Sequence, residues 1–474
     1  MFQSCKIILP VVVLCLLTCL SCNQKLIPAT SSSSNVKLWL TDPDAGVLFQ
    51  QQESVPSFKN ISTNYPEILI KENKTYQTID GFGFTLTGGS AMHLFQMDKF
   101  ARNIILKELF STEGASIGVS YLRISIGASD LDAAPFSYDD LPAGETDVRL
   151  EKFSIAPDKL FLIPILKEIL AINPAVKILA TPWSPPVWMK SNGSTVGGSL
   201  RAEYYDVYAG YFVKYIQAMQ AEGIMIDAIT VQNEPLHPGN NPSMLMTANE
   251  QKDFIKKNLG QAFKAAGIST KIILYDHNAN HPEYPLTILN DNDAAQYIDG
   301  SAFHLYAGDI DTLTSVHNAH PHKNLYFTEQ WIGAPGNLKA DLAWHIKNVI
   351  IGAMRNWCKV ALEWNLASDS KLAPHTTGGC TECLGALTID GDTVKRNPAY
   401  YIIAHAAKFI RPGSVRIYSQ QPASLPNVAF KLPGVKIVLI VLNETDAETN
   451  FWIRQGTKSI PVKLNGGAVG TFLW

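Results

Sequence analysis

The sequence predicts a (β/α)8 TIM barrel with an appended β-sandwich domain built from both chain ends, and three observations carry that prediction. Between Thr78 and Phe409 short apolar runs alternate with helical patterns, the signature of repeated βα units on a parallel sheet. These runs number eight, which suggests closure into a barrel. After Pro412-Gly413 the helical period stops, and alternating or wholly apolar strands take over. With 474 residues, 46% of them hydrophobic, the chain can bury a barrel-sized core and a smaller one beside it.

The eight barrel strands are expected at 78–86, 119–126, 176–180, 226–232, 270–275, 300–305, 324–328 and 359–364. Helical patterns between them cover 92–110, 159–172, 202–222, 249–266, 341–356 and 398–409. An open doubly wound sheet is the alternative. However, Gly81-Phe82-Gly83 lacks the full dinucleotide-binding glycine spacing and runs into Phe84-Thr85-Leu86 rather than a helix start, so nucleotide binding is not expected. Strands at 415–418, 435–442, 451–453 and 471–474 make the sandwich, and the apolar stretches 36–40 and 67–70 pair into it. The division is then 36–77 for the N-terminal strands, 78–410 for the barrel and 411–474 for the C-terminal sandwich.

Residues 1–22 read as an export signal: Lys6, an apolar stretch from Ile7 to Leu20, then Ser21-Cys22. Leu20-Ser21-Cys22 resembles a bacterial lipoprotein processing site, departing from it at Cys19. It implies a lipid on Cys22 and an outer-membrane lipoprotein, periplasmic or at the cell surface, with 23–35 as a polar tether. Cys358, Cys380 and Cys383 remain in the folded part. Export favours oxidation, and Cys380 and Cys383 in a Gly-rich loop read as a local disulfide, with no second Cys pair for zinc. Cys358 reads as a buried free thiol. His277 and His281 have a four-residue spacing, but Pro282 argues against a helix that would place both on one face, so no metal site and no cofactor are expected.

The charge balance, 39 basic against 42 acidic residues, gives a net charge of −3 with no basic run, which argues against nucleic acid and for a neutral substrate. Two glutamates stand out. Glu234 follows Ala228-Ile-Thr-Val-Gln-Asn233, and Glu329 follows Asn324-Leu-Tyr-Phe-Thr328; each ends an apolar run that reads as a buried strand, and in a barrel reactive groups gather at such carboxyl ends. Two carboxyls facing one cleft can divide proton donation from nucleophilic attack, as glycosidic hydrolysis requires. Taken alone, Asn233-Glu234-Pro235 is equally compatible with an Asn helix cap beside a solvated Glu. Arg123, a charge inside the strand pattern Tyr121-Leu122-Arg123-Ile124, can pair with a carboxylate, and a purely structural ion pair is as good a reading.

Seven motifs in order are similar to glycoside hydrolase family 30, which includes glucosylceramidases and bacterial β-1,6-glucanases. They are Asp80-Gly-Phe-Gly-Phe84, Leu122-Arg-Ile-Ser125 with Ser129-Asp130, Ala180-Thr-Pro-Trp-Ser-Pro-Pro186, Asn233-Glu-Pro235, Phe303-His-Leu-Tyr306, Thr328-Glu329 and Glu363-Trp-Asn-Leu366. The resemblance implies a retaining double displacement on β-linked glucosides. In it Glu329 attacks the anomeric carbon and Glu234 acts as acid/base. Asp130, Trp183, Asn233, Tyr306 and Trp364 form the glucose subsite, and His304 supports from behind. The expected substrate is a β-1,6-glucan, with glucosylceramide or a small β-glucoside as the alternative, and a non-catalytic glycan-binding lipoprotein as the reading from another class. Oligomeric state is not legible.

Overall fold

The computed structural model describes residues 36–53, 55–59 and 65–474; the expected signal, Cys22 and the tether lie outside the described residues. Eight parallel strands close a barrel: β1 (Gly81–Thr85), β2 (Tyr121–Ile126), β3 (Lys177–Pro182), β4 (Ala228–Thr230), β5 (Lys271–Asn278), β6 (Ile298–His304), β7 (Asn324–Glu329) and β8 (Cys358–Asn365). Each pairs with the next, and β8 pairs back to β1.

Alternation along the strands sorts the side chains by face. Tyr121, Leu179, Ala228, Ile273, Ala302, Tyr326, Val360 and Leu362 form an apolar layer inside the barrel. Strand β1 turns Phe82 and Phe84 out to the helices, and Gly81 and Gly83, alternating with them, are glycines by steric necessity: a Cβ on Gly83 would meet the Tyr121 carbonyl oxygen at 1.8 Å. Two residues further along the strands, the same face carries Arg123, Thr181, Thr230, His304 and Thr328, all without exposed surface. A polar layer therefore sits directly on the apolar one, at the carboxyl ends of the strands.

The helical expectations need correction in places. The stretch 92–110 forms two helices, Gly88–Gln96 and Lys99–Phe110. Met97 takes an extended ψ of 153°, and the Asp98 carboxylate accepts from the Phe100 amide to start the second helix. The long patterns near 249–266 and 341–356 each contain a π-helical turn, Ile255–Leu259 and Ile346–Gly352. Glu283–Leu289, Asn292–Ala295 and Thr312–Ala319 were not expected as helices, being too short to display an amphipathic period. Thr78 closes the sheet strand Glu67–Thr78, so the barrel strand begins later than expected.

The second sheet has nine strands in the order Val47–Gln52, Lys37–Asp42, Val469–Leu473, Ile437–Leu442, Asn427–Lys431, Val415–Ser419, Glu67–Thr78, Thr449–Gln455 and Lys458–Leu464. It interleaves both chain ends around its own core, which includes Leu38, Ile68, Leu439, Phe451 and Phe472. His405, on the helix Pro398–Ala407, is fully buried between Thr41 and Thr471 of this sheet, at 2.8 Å from each hydroxyl, and ties it to the barrel. Among the described residues no helix is long and apolar enough to cross a membrane.

Candidate active site

The polar layer is organised around one guanidinium. Arg123 donates from Nη1 to Glu329 Oε2 at 2.5 Å, and from Nη2 to Asn233 Oδ1 at 2.6 Å and Asp276 Oδ2 at 2.9 Å. Asp276 also accepts from the hydroxyls of Thr230 (2.7 Å) and Thr328 (2.6 Å). His304 places Nε2 at 3.0 Å from Asp276 Oδ1 and Nδ1 at 3.2 Å from Glu234 Oε1. The Tyr306 hydroxyl donates to Glu329 Oε1 at 2.9 Å.

Backbone distortion brings these groups together. Tyr275 and Asp276 both have positive φ, 73° and 69°, and the pairing of β5 with β6 shifts register between Tyr275 and His277. This bulge turns Asp276 into the polar layer, where strict alternation from Ile273 would have put Tyr275. A register shift between Phe327 and Glu329 likewise sets Glu329 beside His304. Glu234 itself has φ 44°, and its amide donates to the Asp276 carbonyl at 3.0 Å; a left-handed non-glycine residue is strain held by its surroundings, of the kind that collects at active sites.

Above this layer opens a pocket of about 300 Å³ lined by the two glutamates together with Asp130, Trp183, Asn233, Tyr306 and Trp364. Every residue expected in the glucose subsite therefore faces one cavity, with Arg123 and His304 beneath it. Trp183 and Trp364 stand 5.4 Å apart, tilted by 34°, and both stack over the Arg123 guanidinium. Asn233 has its carbonyl oxygen on Arg123, so its amide nitrogen is the remaining donor. Asp130 Oδ2 accepts from the Cys380 amide at 3.2 Å. Cys380 and Cys383 form a disulfide that is itself part of the pocket wall, and Cys358 is a buried free thiol.

Burial raises the Asp130 carboxyl to about 7, helped by the charge of Glu329 and opposed by the Cys380 amide. Burial would raise Asp276 too, but Arg123 and His304 hold it well below the usual carboxylate range. Burial also pushes the Glu329 carboxyl up, and the neighbouring Glu234 charge adds to this against His304 and Arg123. Glu234 goes the other way: burial is outweighed by the bond and charge of His304, and its carboxyl is lowered.

One oxygen of Glu234, one of Glu329 and a His304 nitrogen lie within 4.8 Å of one another. Such a cluster has metal-binding spacing, but its residues are already engaged by Arg123, Tyr306, Asp276 and each other. His277 lines the pocket with Nε2 at 3.9 Å from Glu234, whereas His281 is an exposed partner of Glu283. A carboxylate pair this close suits the retaining geometry of about 5–5.5 Å rather than the 6.5–9.5 Å of inverting sites.

The glycosyl hydrolase family 30 TIM-barrel domain matches residues 79–410, and the beta sandwich domain of the same family matches residues 413–472. The chain belongs to glycosyl hydrolase family 30. As a family 30 glycosidase it is an O-glycosyl hydrolase. It is 39% identical to an endo-1,6-beta-D-glucanase of Neurospora crassa over 72% of each chain. It is 26% identical to the lysosomal acid glucosylceramidase of Mus musculus over 86% of this chain and 83% of that one. Among solved structures, an endo-β1,6-glucanase superposes with a TM-score of 0.85 at 36% identity, covering 93% of this chain and 99% of the other.

Sequence reasoning missed Asp276, the residue that joins Arg123, His304 and both threonines. Its signal was the same as that of the glutamates, a carboxylate ending the apolar run Ile272-Ile273-Leu274-Tyr275. His237, Asn240, His277, Asn278 and Trp331 also line the pocket of this family 30 enzyme. His237, Asn240 and Trp331 sit in loops or beyond strand ends, where no periodicity marks a side chain as facing inward, and His277 and Asn278 end β5 after the bulge, which breaks the alternation that would have told their faces apart.

Proposed function

We propose that this chain cleaves β-1,6-linked glucan by retaining double displacement. Glu329 attacks the anomeric carbon while Glu234 protonates the departing glycosidic oxygen. Glu234 then takes a proton from water, which attacks the glycosyl ester. The observation that carries the reading is the placement of two carboxyls, Glu329 buried and Glu234 partly buried, with oxygens within 4.8 Å at one pocket. Arg123 and Tyr306 both donate to Glu329, which aims it and favours its charged form. Asp130 and Asn233 offer polar groups for sugar hydroxyls, and Trp183 and Trp364 wall the ring. The β-1,6 linkage is supported by the name and likeness of the fungal and structural relatives.

Glucosylceramide is the second reading, favoured by the likeness to the mouse enzyme. Incubation with β-1,6-glucan, β-1,3-glucan, xylan and glucosylceramide, followed by chromatography of the products, separates them. Gluco-oligosaccharides from β-1,6-glucan alone support the first reading and ceramide release the second. Glu234→Gln and Glu329→Gln should each lose activity, by about 10²–10⁴-fold for the acid/base. No cleavage of any substrate would leave a glycan-binding protein. We also propose export with lipid attachment at Cys22, on the strength of the signal pattern.

A further inference from the structure

His304 has no exposed surface, and each ring nitrogen faces a carboxylate. A carboxylate only accepts, so each contact needs a proton on one of its two atoms. Asp276 already accepts from Arg123, Thr230 and Thr328 and is held well below the usual carboxylate range, which puts the proton of its contact on His304 Nε2. One proton remains for the 3.2 Å contact between His304 Nδ1 and Glu234 Oε1.

The surroundings decide where that proton rests. Three carboxyls face the imidazole: Asp276 from β5, Glu234 after β4, and Glu329 from β7, whose Oε1 is 3.7 Å from Nδ1. Arg123 from β2 is the cation among them, and its guanidinium is spent on Glu329, Asp276, Asn233 and Thr181. Tyr306 stands edge-on at 5.9 Å, and Thr328 bonds Asp276 rather than the ring. His277, a second imidazole near Glu234, is kept neutral by burial, which lowers it to about 4; a third, His237, also faces Glu234 from its own loop. A cation on His304 thus balances carboxylates that nothing else balances.

We propose that His304 is the resting store of the catalytic proton, held on Nδ1 as an imidazolium against a Glu234 carboxylate and passed to Glu234 only as the glycosidic bond breaks. The reading rests on Glu234 as the acid/base. In the first step the Nδ1–H bond breaks and a Glu234 O–H forms. That O–H then breaks as its proton joins the leaving oxygen, which keeps the electron pair of the anomeric C–O bond, while Glu329 forms the glycosyl ester. In the second step water gives its proton to Glu234 and its oxygen to the anomeric carbon, the ester bond breaks, and Nδ1 regains the proton from Glu234. The opposed shifts of the pair agree: the Glu234 carboxyl is lowered, while His304, despite burial, is raised to about 9 by Glu329, Asp276 and Glu234. His304 acts through Glu234 and is a positioning residue.

Nitrogen NMR of the whole chain labelled at histidine tests this directly. The His304 signals are assigned by their loss in His304→Gln, or from through-space contacts to Tyr306 if that variant does not fold. Near neutral pH both nitrogens should carry protons; an unprotonated Nδ1 in the free enzyme would overturn the proposal. Kinetics give the second test. In His304→Gln the alkaline limb of kcat/KM for a β-linked disaccharide should move to lower pH by about one unit or more. Glycosylation by a dinitrophenyl β-glucoside, whose leaving group needs no proton, should be nearly unaffected. Equal losses on both substrates with an unmoved limb would reduce His304 to a structural part. Full activity of Glu234→Gln on the disaccharide would instead overturn the acid/base assignment, and would leave the NMR signature of His304 unchanged.

Discussion

Tyr306→Phe isolates one contact of the proposed nucleophile. The change removes the hydroxyl that donates to Glu329 Oε1 at 2.9 Å and leaves the ring in place. A hydrogen bond to a charged group contributes about 1.5–3 kcal/mol when buried. Tyr306 is 37% exposed, so the lower part of that range applies, a loss of roughly 10- to 30-fold in kcat/KM. The donor favours the charged form of Glu329, whose carboxyl is already raised by burial. Losing it raises that carboxyl further, and the acid limb of the pH profile should move to higher pH. Initial rates on an aryl β-glucoside and on a β-1,6-linked glucose oligomer, from acid to alkaline pH, measure both effects. A thermal melt should stay within about 2 °C, since the residue lies at the pocket mouth and not in a core. A loss below about threefold, or an acid limb that moves down, would refute the role given to Tyr306.

Other expectations follow from the same geometry. A 2-fluoro glucosyl inhibitor should label the peptide that carries Glu329, as mass spectrometry of the digest would show; label on Glu234 would reverse the two roles. Reduction of Cys380–Cys383 by a dithiol under native conditions should loosen the Cys380 amide from Asp130 and raise KM about fivefold with less effect on kcat, an effect that Cys380→Ser/Cys383→Ser should reproduce without reductant; an unchanged KM in both would remove the disulfide from substrate binding. Asp158, 5% exposed and bonded to the Tyr138 hydroxyl at 2.6 Å, is pushed by burial up to about 8. Ionising it costs folding stability, and this cost grows with pH from its ordinary value up to about 8, so Asp158→Asn should gain on the natural chain between melts at about pH 5 and pH 8; a constant difference would contradict this. In a bacterial host, labelled palmitate should enter the natural chain and not Cys22→Ser, and absence of label from both would leave ordinary secretion.

The sequence by itself determined the barrel, the sandwich shared by both chain ends, and the positions of Glu234 and Glu329. The reason is local: an apolar strand run ending in a carboxylate is written in consecutive residues, and a parallel barrel sends every strand end to one face. The same logic reached Asp130, Trp183, Asn233, Tyr306 and Trp364 only through likeness of motifs, since an aromatic or amide residue alone does not say whether it faces core or cleft. The break at Met97 and Asp98 lay within a continuous helical pattern, where a capping carboxylate overrode periodicity. Tertiary structure alone decided the role of Asp276. Alternation along β5 would have aimed Tyr275 inward, and only the bulge with two left-handed residues exchanges it for a carboxylate. That strain is maintained by contacts with Arg123, Thr230, His304 and Thr328, which come from four other strands. No window of the sequence holds those partners together, because barrel closure is what makes them neighbours.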